Sequence, residues 1–138
     1  MTGSGVGVVV CVVVMKIISW NVWGLGGFEK RREICQLVRE KNPSILYLQE
    51  TKLSVFDGSV CESIWSDINV DFWFQPSMGA SGGLVTMWDC SHVEAWVSMQ
   101  FDHVLGIQGR FVRNGEEFTL LNVYVLVSGP CGIIFLLV

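Results

Sequence analysis

The sequence predicts an α/β domain built on a mixed sheet, and three observations carry that expectation. First, two apolar strand-like runs, residues 15–20 and 45–48, flank an amphipathic segment, Phe28–Lys41. A strand, a crossover of about two dozen residues and a second strand is the spacing of a parallel βαβ unit. Second, beyond residue 70 the apolar pattern changes to a period of two, with runs at 71–74, 83–88, 93–100, 103–113 and 117–127, which is the alternation of strands. Third, Asn114-Gly115 separates the last two runs. That pair signals a two-residue hairpin of type I′, in which both central residues take positive φ. The last two strands are therefore expected to be antiparallel neighbours.

Each element has its local reason. Residues 15–20 (MKIISW) form an apolar run of strand length, and Gly24, Gly26 and Gly27 follow as a turn. Their Gly-x-Gly-Gly spelling lacks the spacing of a dinucleotide fingerprint or a phosphate-binding loop. In the helix Phe28–Lys41, Ile34, Leu37 and Val38 share one face, while Glu29, Lys30, Arg31, Arg32, Glu33 and Glu40 lie elsewhere on its surface. Lys30, Arg31 and Arg32 read as a solvated face, since cations in a first turn oppose the helix dipole. Asn42-Pro43 ends the helix. Residues 45–48 are continuously apolar, as in a strand covered on both faces. A loop over 51–58 then leads to a short helix over 59–68 with Ile64, Trp65 and Ile68 inward.

The 138 residues suffice for one core. Residues 1–54 carry seven Lys/Arg against four Asp/Glu, and residues 55–138 carry two against nine, so the net charge of -4 hides a basic first part. An acidic chain is a poor general binder of nucleic acid, although a local basic face can serve. A hydrophobic fraction of 51% and a mean hydropathy of +0.48 reflect the two ends, since no charge occurs before Lys16 or after Glu117. Neither end reaches the roughly twenty apolar residues of a membrane span, and the first lacks the basic start of a signal peptide. Cys11, Cys35, Cys61, Cys90 and Cys131 are odd in number and widely spaced. This argues against a disulfide framework or a zinc knuckle, and for buried thiols in a reducing compartment, cytoplasmic or nuclear.

A parallel pair brings both strand C-termini to one edge of the sheet, so Asn21 and Glu50, just past the two runs, should sit side by side. Ligands of open α/β sheets bind at that edge, and a neutral oxygen beside a carboxylate suits a hard divalent cation.

With these residues in place, the sequence resembles the endonuclease/exonuclease/phosphatase superfamily of metal-dependent phosphodiesterases. Residues 16–25 (KIISWNVWGL) are similar to its opening strand, 43–51 (PSILYLQET) to its metal-carboxylate strand, and 121–124 (LNVY) to its tyrosine strand. Ser81-Gly82-Gly83-Leu84 is similar to the Gly-Gly start of its middle strand. Within the superfamily it most resembles the endonuclease domain of plant LINE-type (non-LTR) retrotransposon polyproteins. The resemblance implies Glu50 as ligand of a catalytic Mg²⁺ or Mn²⁺, Asn21 as partner of that metal and of the scissile phosphate, and Tyr124 as a hydrogen-bond donor to the phosphate. It further implies a two-sheet αββα sandwich that cuts DNA and needs no organic cofactor.

The departures are as informative. Trp23 stands where the family has a polar or charged residue, and Val125-Leu126-Val127 follows Tyr124 where the family has Ala-Pro. The family's later Asp-x-Asn strand and closing Asp-His pair do not follow Tyr124; Asp102-His103 precedes the tyrosine strand and reads as coincidence. The expectation is thus residues 15–124 as an incomplete αββα sandwich, mainly its first mixed sheet with the helices, between an apolar leader (1–14) and an apolar tail (125–138). Such a chain is expected to be inactive alone, to bind DNA weakly or not at all, and to self-associate through a sheet face left bare and through unpaired strand edges. A residual or partner-completed nuclease and a small membrane-associated protein remain as alternatives.

Overall fold

A computed structural model of the chain describes residues 15–123 and the backbone of Ile133–Leu137. The elements run β1 (Lys16–Asn21), α1 (Phe28–Lys41), β2 (Ile45–Gln49), α2 (Gly58–Ile64), β3 (Val70–Met78), β4 (Ser81–Asp89), β5 (Val93–Phe101), β6 (Val104–Phe111), β7 (Glu117–Val123) and β8 (Ile133–Leu137). They form a mixed five-stranded sheet in the order β3-β4-β2-β1-β8 and an antiparallel three-stranded sheet in the order β5-β6-β7. β1 and β2 are parallel, with Ile17 opposite Ile45 and Asn21 opposite Gln49, as the crossover spacing predicts.

Strand alternation sorts the core into two layers. Ile18 and Trp20 of β1, Leu46 and Leu48 of β2, and Val85 and Met87 of β4 pack with Ile34 and Val38 of α1 and Val60, Cys61 and Ile64 of α2. Their sequence neighbours Ile17, Ile45, Tyr47 and Trp88 point the other way, onto Val93, Ile107 and Phe111 of the second sheet. Both faces of β2 are thereby buried, the reason its run is continuously apolar. Phe56, in the loop before α2, is 2% exposed and stacks edge-on against Phe72 with centroids 5.0 Å apart. That loop is an inserted plug, not a surface link.

Several expectations are corrected. The chain supplies mainly the first sheet with its helices, as expected, but the inner face of that sheet is not left bare: β5, β6 and β7 make a second sheet that covers it. Self-association therefore cannot rest on that face. The switch of sheets occurs in a tight corner after β4, where His92 N–H donates to Asp89 C=O (2.9 Å) and Val112 N–H to His92 C=O (3.0 Å). Alternation alone cannot show such a corner, because strands of either sheet read alike. Helix α2 stops at Ile64, and Ile68 is 97% exposed in the turn beyond it. β6 and β7 are antiparallel neighbours, but their connection is not a two-residue turn. Gly115 has positive φ while Asn114 uses its side-chain oxygen to accept from Glu116 N–H (2.9 Å). Within the tail, Ile133–Leu137 adds an edge strand to β1. Among the described cysteines Cys61 is buried, Cys35 half-buried and Cys90 exposed, so burial holds for one of the three. No helix among the described residues is long and apolar enough to cross a membrane.

One polar cluster ties the sheets together. Asn122 of β7, 1% exposed, donates to Val85 C=O (2.8 Å) and accepts from Gln49 Nε2 (2.9 Å). Gln49 Nε2 also donates to Ser19 Oγ (2.9 Å). A buried amide is tolerable only when so satisfied. Asn122→Leu is expected to lower unfolding stability by about 2–3 kcal/mol, because it strands a buried carbonyl and an amide at once; a urea midpoint unchanged from wild type would contradict this.

Burial, with Asp71 and Glu62 nearby, pushes the Cys61 thiol up to about 11 from 9.0. The folded chain thus holds that proton more tightly than the unfolded chain. Its contribution to stability is complete below the ordinary thiol range and is lost as pH climbs from about 9 to about 11. Alkylation of the folded chain at neutral pH is expected to mark Cys90 and spare Cys61, as peptide mapping can read.

Candidate functional site

The C-terminal ends of β1 and β2 continue as a zipped pair of loops. Val22 N–H donates to Gln49 C=O (3.0 Å), Gly24 N–H to Glu50 C=O (2.7 Å) and Leu25 N–H to Thr51 C=O (2.8 Å). Asn21 and Glu50 therefore come to the same edge of adjacent strands, 8% and 6% exposed. The backbone is unusual here. Of the five non-glycine residues with positive φ among those described, Trp23 (49°), Glu50 (56°) and Lys52 (58°) lie on these two loops. Each costs of order 1 kcal/mol, so the surrounding bonds must impose the conformation.

The imposing element is the start of β4. Thr51 N–H donates to Gly83 C=O (3.1 Å) and Lys52 N–H to Gly82 C=O (2.8 Å), while Gly82 N–H donates to Glu50 Oε1 (3.1 Å). A side chain at Gly83 (φ 96°) would collide with Thr51 Oγ1 and approach Lys52 N, so only glycine lets the backbones meet. At Gly82 (φ 81°) nothing lies within 4 Å of the place a Cβ would take.

Glu50 is thus a buried carboxylate with a single neutral donor on Oε1; Oε2 has no hydrogen-bond partner, and the carboxylate no ion-pair partner, among the described residues. An underpaired buried anion is costly unless a cation joins it, so the donor chemistry fits a hard divalent ion. Asn21 Oδ1 accepts from Trp23 N–H (3.2 Å), an Asx turn that sets the left-handed step. A lone pair on that oxygen remains for a ligand. No group of three His, Cys, Asp or Glu that could hold a metal occurs among the described residues, so one carboxylate and one amide make up the donor set there. Tyr124 lies outside the described residues.

The basic residues of α1 do more than face solvent. Arg31 Nε donates to Leu25 C=O (2.9 Å) and clamps the loop, Lys30 pairs with Glu33 (3.2 Å) and sits 5.3 Å from the Trp20 ring, and Arg32 lies 5.0 Å from the Phe28 ring. Asp102-His103 occupies the β5–β6 turn, with side chains 97% and 62% exposed. It faces Gly82 and Gly83 across a cleft of about 430 Å³ but supplies no bond to Glu50. The one Asp-x-Asn spelling in the chain, Asp67-Ile68-Asn69, lies in the α2–β3 turn, where Asp67 accepts from Asn69 N–H (2.9 Å). Sequence reasoning missed Gln49, Asn122 and the Gly82 N–H. Polar residues inside otherwise apolar strands were the available signal for the first two; the third required the fold.

No family model matches the sequence. Among solved structures, the AP endonuclease LMAP from Leishmania major matches with TM-score 0.61 at 23% identity, over 84% of this chain and 41% of that one. D. rerio TDP2 complexed with single-strand DNA product matches with TM-score 0.56 at 22% identity, over 78% and 44%. The Xenopus laevis APE2 catalytic domain matches with TM-score 0.57 at 18% identity, over 83% and 46%. This chain therefore has their fold over most of its length, and it spans under half the length of each of these proteins.

The cradle around Glu50 predicts an order of damage. Gly83→Ala should destabilise more than Gly82→Ala, because the second meets only left-handed strain of about 1–2 kcal/mol and the first also a collision. Thermal melts in which Gly82→Ala is the worse variant would refute this account of the loop.

Proposed function

We propose that this chain carries the metal-binding edge of a phosphodiester hydrolase domain of the endonuclease/exonuclease/phosphatase type, derived from a LINE-type retrotransposon endonuclease, and that it lacks the residues to cut DNA unaided. The observation that supports this reading is Glu50: a buried carboxylate at the C-terminal edge of a parallel strand pair, held through one oxygen by Gly82 N–H and otherwise underpaired.

Glu50 would hold Mg²⁺ or Mn²⁺, with the Asn21 amide as the neutral partner of the metal or of the phosphate. Such an ion, when bound, stabilises charge on a phosphoryl oxygen and lowers the pKa of coordinated water. In this reading Tyr124 donates a hydrogen bond to the phosphate. Gln49 and Asn122 act indirectly, by fixing the strand end from which Glu50 projects. Residues 125–138 carry no Asp, Asn or His, so in this reading those residues do not orient the attacking water or move a proton.

Self-association belongs to the same reading, through unpaired strand edges and not through a bare face. Among the described strands β7 is one edge of the second sheet, and Leu121 and Val123 on it are 51% and 43% exposed. Unpaired edges with apolar side chains favour further strand pairing.

Titration of the full chain with Mn²⁺ is expected to show a weak site, with Kd of about 10⁻⁴ M or higher, as befits few charged ligands, and Glu50→Gln should abolish it. Supercoiled plasmid should remain intact with Mg²⁺. A tight site that survives Glu50→Gln would place the ligands elsewhere. Nicking that disappears in Glu50→Gln would instead establish a working nuclease and overturn the proposed incompleteness.

A further inference from the structure

On the loop bonded to Glu50 the chain shows a large aromatic ring that is half exposed. Trp23 is 52% exposed, three residues after buried Trp20, on a backbone held left-handed by the Asn21 Asx turn and by the Gly24–Glu50 bond. Lys52 Nζ, from the loop that follows Glu50, lies 5.0 Å from the centre of that ring. Five residues along, Phe28 is 68% exposed with the Arg32 guanidinium 5.0 Å from its ring. A five-residue segment reaches at most about 18 Å, so the two pairs follow each other within that reach along the rim formed by the segment that leaves β1. This rim also belongs to the basic part of an otherwise acidic chain, residues 1–54 with seven Lys/Arg against four Asp/Glu.

An exposed ring beside a cation, repeated along a short rim, has the two chemistries that a single nucleic-acid strand offers: a flat π face on each base and a negative charge on each phosphate. A duplex presents its phosphates but keeps its base faces stacked inside. A protein partner would need no regular pairing of ring with cation. We infer that Trp23 with Lys52, extended by Phe28 with Arg32, is a stacking platform for unpaired nucleotides, so that the strand offered to the Glu50 edge is single-stranded or locally unpaired. This rests on the proposed reading of that edge as a phosphodiester site and adds the form of the substrate. In it Trp23 stacks on a base through its open face, and Lys52 meets the adjoining phosphate.

The test uses the full chain in EDTA at low salt, so that strand capture is read without metal or cleavage. Fluorescence anisotropy of a labelled twelve-nucleotide oligo(dT) is compared with a duplex of the same length. Single-strand binding should exceed duplex binding and should weaken by about tenfold in Trp23→Ala, within the range for loss of one stacked base. Trp23→Phe, which keeps a ring, should restore most of it and guards against a folding defect. Lys52→Ala should flatten the dependence of log affinity on log salt by about 0.7, the value for one phosphate contact on a single strand. Equal affinity for strand and duplex, or a Trp23→Ala variant that binds as wild type, would overturn the inference. So would loss of self-association in Trp23→Ala, read by light scattering, since the platform would then serve a second copy of the chain. Failure of the Mn²⁺ titration leaves this measurement intact, so the two readings fall separately.

Discussion

Parallel pairing of β1 with β2 is the constraint on which the rest depends. It requires a crossover, which α1 supplies, and it buries β2 on both faces, between the helices on one side and β5–β7 on the other. It also sends two strand ends out of the sheet together, in register at Asn21 and Gln49. Once both chains leave the same edge, the loops that follow can zip to each other and to the start of β4. The buried carboxylate follows from this arrangement: Glu50 sits one residue beyond the last paired residue of β2, where the left-handed step turns it under Gly82.

Rigidity at that edge is assembled from short-range strain and long-range polar bonds. Trp23, Glu50 and Lys52 each hold a backbone that favours glycine; the bonds to Gly82 and Gly83 hold Glu50 and Lys52 there, and the Asn21 side chain holds Trp23. Behind them Asn122 and Gln49 fasten β7 to β2 and β4 through buried amide hydrogen bonds. An apolar contact in that place would bind the sheets without setting their register, whereas directed hydrogen bonds set both. The second sheet therefore has a part in the site although it contributes no residue to the loops.

Much of this was legible because its cause is local. The α1 limits follow from Gly27, the apolar stripe and Asn42-Pro43. The identity of Asn21 and Glu50 as neighbours follows from strand direction and spacing alone. Other features depend on what lies opposite. Ile68 matched a helical stripe, yet α2 ended before it, because Trp65 N–H closes the helix onto Cys61 C=O and the chain then turns at Asp67. Asn114-Gly115 matched a two-residue hairpin, yet Asn114 found a better bond to Glu116 N–H and the loop widened. Arg31 looked like a solvated charge until Leu25 C=O was brought beneath it.

By itself the sequence determined the mixed α/β class, the order of its elements from β1 to β7, the parallel pair and the two residues that share its edge. These rest on periodicity, on chain direction and on turn chemistry, all of which act within a few dozen residues. Only the tertiary structure decided that β5–β7 form a second sheet over the first, that Gly82 N–H holds the Glu50 carboxylate, and that Trp23 is exposed beside Lys52. Each of these brings together segments whose side-chain patterns are silent about their partners. Alternation records which residues of a strand are buried, not which surface buries them.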